Sequence, residues 1–107
     1  MVEFQKGQGG AGNKLIIDLN DIIRYGINLL DIQLMLTRLN VPRIDRGQEP
    51  RIWIRYASKY IGEIGAEEIN SILQGDMNMF NQYEQNTIEG IKNFIKDNLQ
   101  TINQLLA

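Results

Sequence analysis

The stretch Asp18–Asn40, DLNDIIRYGINLLDIQLMLTRLN, is the longest apolar-dense segment of the chain, and it stops at Val41-Pro42. On a helical period, Asp21, Arg24, Asn28, Asp31 and Arg38 fall on one narrow polar stripe, broken only by Met35 and Leu39. Ile23, Ile27, Leu30 and Leu34 form one apolar flank, and Tyr25, Leu29, Ile32 and Leu36 another. A helix that is apolar around most of its circumference must be covered from several sides, by its own chain or by a second copy. Asp18 is placed to cap it, and Asp21 suits its positive end. Gly26 falls opposite the polar stripe with Gln33 and Thr37, which points to a neighbouring backbone close by. Leu30–Leu34 also alternates as a strand would, but the helical pattern spans the longer window.

Upstream, residues 1–14 hold four of the ten glycines and little that can be buried. Gly7, Gly9 and Gly12 make a formal G-x-G-x-x-G, with Lys14 close behind. A dinucleotide fingerprint needs a strand before it and a helix after it, and a phosphate loop needs Lys directly after its last Gly. Neither context is met, so the segment reads as a flexible tail.

Downstream, Val41–Pro50 reads as a loop, with Pro50 starting a second helix over 50–64. Trp53, Tyr56, Ala57, Tyr60, Ile61 and Ile64 would share one face of it, and Arg51, Arg55 and Lys59 the other. The main threat to that helix is the β propensity of Ile52–Tyr56. A third helix is expected over 66–74, with Ile69, Ile72 and Leu73 inward and Gly75 ending it. From Thr87 on, Ile88, Ile91, Ile95, Asn98, Ile102 and Leu105 follow heptad spacing, with one polar residue in an apolar seam. The fold expected is therefore all-α: a four-helix bundle-like single domain over 15–107, with a long C-terminal helix and a disordered Gly-rich N-terminal tail.

Composition narrows the chemistry. The chain has neither Cys nor His, which excludes disulfides, thiol catalysis, Cys/His zinc sites and imidazole acid–base mechanisms. Glu63, Glu67 and Glu68 lack calcium-loop spacing and read as solvated charge. The expectation is a non-enzymatic protein with no catalytic residue, cofactor or metal. No export signal or membrane-length run is seen, so a cytoplasmic chain without membrane contact is expected.

Charge is unevenly placed. Residues 38–59 hold Arg38, Arg43, Arg46, Arg51, Arg55 and Lys59 against Asp45 and Glu49, while the whole chain has net charge −2. Arg43, Arg46, Arg51, Arg55 and Lys59 are therefore the candidate residues for nucleic acid or an acidic partner. Trp53, Tyr56 and Tyr60 could stack on bases, though their apolar face favours packing; Met77, Met79 and Phe80 likewise read as core. Ile88, Ile91, Ile95, Asn98, Ile102 and Leu105 are the candidate self-association residues. The leading functional expectation is an interaction or structural module, self-associating, with a dimer favoured, as a small subunit or scaffold among other proteins. The alternative is a nucleic-acid-binding protein that uses the basic 38–59 region.

Overall fold

The computed structural model describes residues 2–37 and 49–107. Four strands form one mixed sheet in the order β1 (Val2–Gln5), β2 (Lys14–Asp18), β3 (Arg51–Tyr56), β4 (Lys59–Gly65). β2 pairs parallel with β3, while the outer pairs β1/β2 and β3/β4 are antiparallel. Helices α1 (Leu19–Ile23) and α2 (Leu29–Thr37) lie in the connection from β2 to β3. After β4 come α3 (Ala66–Leu73), a single 3-10 turn at Asn78–Phe80, α4 (Gln85–Asp97) and α5 (Leu99–Leu106). The fold is thus α/β, and the all-α helical bundle expected from periodicity is overturned.

The N-terminal tail is corrected first. Val2 to Gln5 pair with Ile17 to Lys14, so residues 2–5 belong to the sheet, and Val2 and Phe4 pack against the core. Leu15-Ile16-Ile17, expected to lead into a helix, is a strand buried on both faces. The helix expected over 50–64 is a hairpin. Ile52 and Ile54 are fully buried while Arg51, Trp53 and Arg55 are half-exposed, which is the period-two signature of a strand. Tyr56 pairs with Lys59, leaving Ala57 and Ser58 as a two-residue turn with φ of 50° and 66°. Both signs match a type I′ hairpin turn, whose usual dipeptides are Asn-Gly and Asp-Gly. Ala-Ser carries no such signal.

The central segment is two helices with a turn between them. Gly26 takes φ +93°, a left-handed conformation that glycine alone adopts without strain and that ends α1. The chain restarts at Asn28, whose side-chain oxygen accepts the Asp31 N–H at 2.8 Å, an N-cap for α2. The same corner is tied to α4. Asn28 donates from its amide to Glu84 at 2.7 Å, its backbone N–H donates to the Thr87 hydroxyl at 3.2 Å, and the Glu84 N–H donates to Asp31 at 3.3 Å. Asp31 and Thr87 are buried, so Asn28 and Asp31 of the expected polar stripe are spent on internal hydrogen bonds. Gly90 of α4 lies against this turn: a Cβ there would stand 2.2 Å from the Tyr25 carbonyl oxygen.

The long C-terminal helix also divides. Asn98 leaves helical geometry, with φ −117° and ψ 25°. Its side chain donates to the Phe94 carbonyl at 2.9 Å. One core results, with Leu15, Ile17, Ile52, Ile54 and Ile64 from one sheet face packed beneath the helices.

Two substitutions test this account. Ala57→Asn combined with Ser58→Gly should raise stability by about 1 kcal/mol, by relieving left-handed strain in the hairpin turn; denaturant midpoints measure it. Gly90→Ala should destabilise by roughly 2–3 kcal/mol, because the added methyl meets main chain.

Candidate functional site

Strand alternation sends a second set of side chains to the sheet face away from the core. Glu3 and Gln5 come from β1, Lys14, Ile16 and Asp18 from β2, Arg51, Trp53 and Arg55 from β3, and Tyr60 and Glu63 from β4. The register places Lys14 beside Arg51 and Asp18 beside Arg55. Arg55 donates from Nε to Asp18 at 2.8 Å and lies 3.5 Å from Glu3 through Nη1. The hydrogen bond from Arg55 holds the Asp18 carboxyl below the usual carboxylate range, against a smaller opposing effect of burial, and the same bond raises the guanidinium's pKa. Arg51 lies 3.7 Å from Glu63, a carboxylate only 2% exposed.

Trp53 stands in the middle of this face. Lys14 on one neighbouring strand places its ammonium 3.7 Å from the ring centroid. Tyr60 on the other neighbouring strand stacks at 4.7 Å and 51°. The indole is thereby flanked by protein on both sides and stitches β2, β3 and β4 together. Burial, and next the nearby Arg51, push the Lys14 ammonium's pKa down.

Of the residues expected to bind nucleic acid or an acidic partner, Arg51 and Arg55 are brought onto one face. Lys59 sits exposed at the hairpin end. Arg43 and Arg46 lie outside the described residues, as do Arg38 and the greater part of the Val41–Pro50 loop. Lys14, Asp18 and Glu63 were missed as partners of that face. A signal for two of them existed: Lys14/Asp18 and Arg51/Arg55 are equally spaced pairs, which parallel register sets side by side. Glu63 and Glu68 are buried, and only Glu67 of that trio is exposed.

The expected self-association residues are placed differently. Ile91, Ile95, Ile102 and Leu105 are at most 3% exposed inside the chain's own core. Ile88 is half-buried against that core, and Asn98 is the joint between α4 and α5. Among the described residues, Ile23, Tyr56, Leu73 and Leu99 are exposed singly on other elements, while α2 exposes three leucines, Leu29, Leu30 and Leu34, at 56%, 68% and 41%.

A cleft of about 440 Å³ opens between α1 and α4, floored by Val2, Ile17 and Phe94. Its polar rim is internally paired, Arg24 to Asp21 and the Tyr25 hydroxyl to Asp97 at 3.2 Å. Burial, and after it the hydrogen bond to Asp97, raise the Tyr25 pKa. Among the described residues no three acidic side chains gather as metal ligands, and no helix is long and apolar enough to cross a membrane. Comparison with protein-family models, curated proteins and solved structures found no match.

The Asp18–Arg55 pair has a definite pH signature. Because the folded-state pKa of Asp18 is depressed, its contribution is present at neutral pH, above the unfolded value of about 3.9, and is lost as pH falls through the folded value. Asp18 makes no side-chain cap bond to α1, so Asp18→Asn removes the carboxylate's charge interactions without removing a helix cap. Urea titrations should show the variant less stable than wild type at pH 7, with the difference shrinking as pH falls below about 3.9.

Proposed function

We propose that the protein is a non-enzymatic interaction module that associates with a second copy of itself through the outward face of α2, serving as a small structural subunit. The observation that carries this is the exposure of Leu29, Leu30 and Leu34 on one short helix. Scattered apolar residues on a surface are ordinary, but neighbouring leucines on one helix make a contiguous patch of the kind that marks contact sites. Leu30 and Leu34, one turn apart, lie on the same side of the helix.

Size sets the expected strength. Three leucines fall short of the roughly 800 Å² per partner that a stable specific interface buries. Association resting mainly on them is weak and concentration-dependent.

Nucleic-acid binding by the basic 38–59 region has less support. Arg55 is engaged by two carboxylates, Arg51 lies beside Glu63, and the Trp53 ring already has Lys14 and Tyr60 packed against it.

Light scattering on the full chain over a concentration series tests the reading. Wild type should rise from monomer toward dimer. Leu30→Asp with Leu34→Asp should remain monomeric, with an unchanged circular dichroism spectrum. A wild-type chain that stays monomeric throughout would sink the proposal.

A further inference from the structure

The association surface makes no use of residues 6–13, the glycine-rich connection between β1 and β2. The neck of this loop is held firmly. Gly7 N–H donates to the Asn13 side-chain oxygen at 2.9 Å, and the Asn13 amide donates to the Leu105 carbonyl of α5 at 3.2 Å. The Arg51 N–H donates to the Asn13 carbonyl at 3.2 Å, and Ala11 N–H to the Gln8 carbonyl at 3.0 Å. Gly12 is pressed onto the chain at Glu49-Pro50, where a Cβ would meet main chain at 2.4 Å. The tip is different: around Gly9 and Gly10 nothing lies within 4 Å of where a Cβ would stand.

Within this loop lies a cleft of about 520 Å³, lined by Gln5, Lys6, Gly7, Gln8, Gly12 and Lys14 among others. Every ionisable side chain lining it is a lysine, in a protein whose net charge is −2. Lys14 is the informative one. It is half-buried, rests on the Trp53 ring, and has no carboxylate partner among the described residues. Its neighbour across the sheet is another cation, Arg51. Arg55, in the same row of side chains, has two carboxylates. A partly desolvated ammonium facing a second positive charge is held at a cost that a bound anion would offset.

We infer that this cleft is an anion site that takes a phosphate group borne by a small molecule, with Lys14 and Lys6 supplying charge and the Gln5 and Gln8 side-chain amides supplying further donors. Phosphate suits it better than a carboxylate, because two ammonium groups and several N–H donors match a multiply charged anion with three or more acceptor oxygens. The cleft is wider than phosphate alone, so the group it takes carries a further moiety. The glycine spacing mimics a dinucleotide fingerprint, but the loop runs into β2. The charge comes from side chains and not from a helix N-terminus.

The test follows backbone amides of the uniformly labelled full chain by NMR during titration with inorganic phosphate, against sodium chloride at matched ionic strength. Saturable shifts confined to residues 6–14 and the Trp53 indole are expected, together with a rise in melting temperature. Lys14→Met, which keeps an apolar side chain on the indole, should weaken the interaction about tenfold and remove the melting shift. Linear shifts spread over many surface lysines and arginines would overturn the site, as would undiminished affinity in Lys14→Met. A parallel titration uses a single-stranded oligonucleotide. If the oligonucleotide binds with steep salt dependence while phosphate does not, the assignment to a small phosphate-bearing molecule fails. At fixed protein concentration none of these readouts requires self-association, so this site and the α2 association surface stand or fall separately.

Discussion

The parallel pairing of β2 with β3 is the constraint on which the rest depends. It sets Leu15 beside Ile52 and Ile17 beside Ile54 on the core face, and Lys14 beside Arg51 and Asp18 beside Arg55 on the other. Parallel neighbours cannot be joined by a tight turn, so the chain must leave the sheet, cross over and return. That requirement puts α1 and α2 between the two strands and presses them onto the sheet. The partners Asp18 and Arg55 are 37 residues apart, and closing so long a loop is repaid only when the whole apolar face is buried at once. The hairpins at either edge then extend a sheet that already has its core.

Two faces of one sheet consequently do different work. One buries isoleucine and leucine beneath the helices. The other carries an indole between neighbouring strands and three cations, Lys14, Arg51 and Arg55, against three carboxylates, Glu3, Asp18 and Glu63. The carboxylates lie with Arg51 and Arg55, and among the described residues Lys14 has none beside it. The glycine loop stands next to it because Gln5 and Lys14 are the last pair of the β1–β2 ladder. A hairpin loop closes at the end of its ladder, so the location of the cleft follows from strand register.

Arg51, Arg55 and Lys59 recur every four residues, and four is close to one helical turn but also equals two strand repeats. Such spacing alone does not separate the two structures. What separates them is the neighbours: Ile52 and Ile54 alternate with Arg51, Trp53 and Arg55, and β-branched residues at that spacing belong to a strand. The hairpin escaped notice because its turn is Ala-Ser, which holds left-handed geometry only under the pull of the flanking pairs. The heptad seam failed for another reason. Its isoleucines are inward-facing as expected, but the inside they face is the chain's own sheet.

What this chain's sequence settles by itself is local and one-dimensional. It places a stop at Gly75, a helix over 66–74 that the structure forms at Ala66–Leu73, a helix start at the Asp18–Leu19 boundary, an apolar side for α4 and α5, and the exclusion of thiol and imidazole chemistry. These follow from dihedral preference, side-chain periodicity and residue type, which act over a few positions. Whether Leu15–Ile17 and Ile52–Ile54 form strands, which residues cover them, and that Lys14 meets Trp53 while Asp18 meets Arg55 were decided only in three dimensions. Each depends on a partner dozens of residues away, and the energy that selects among such partners is released only when both faces of the sheet are assembled.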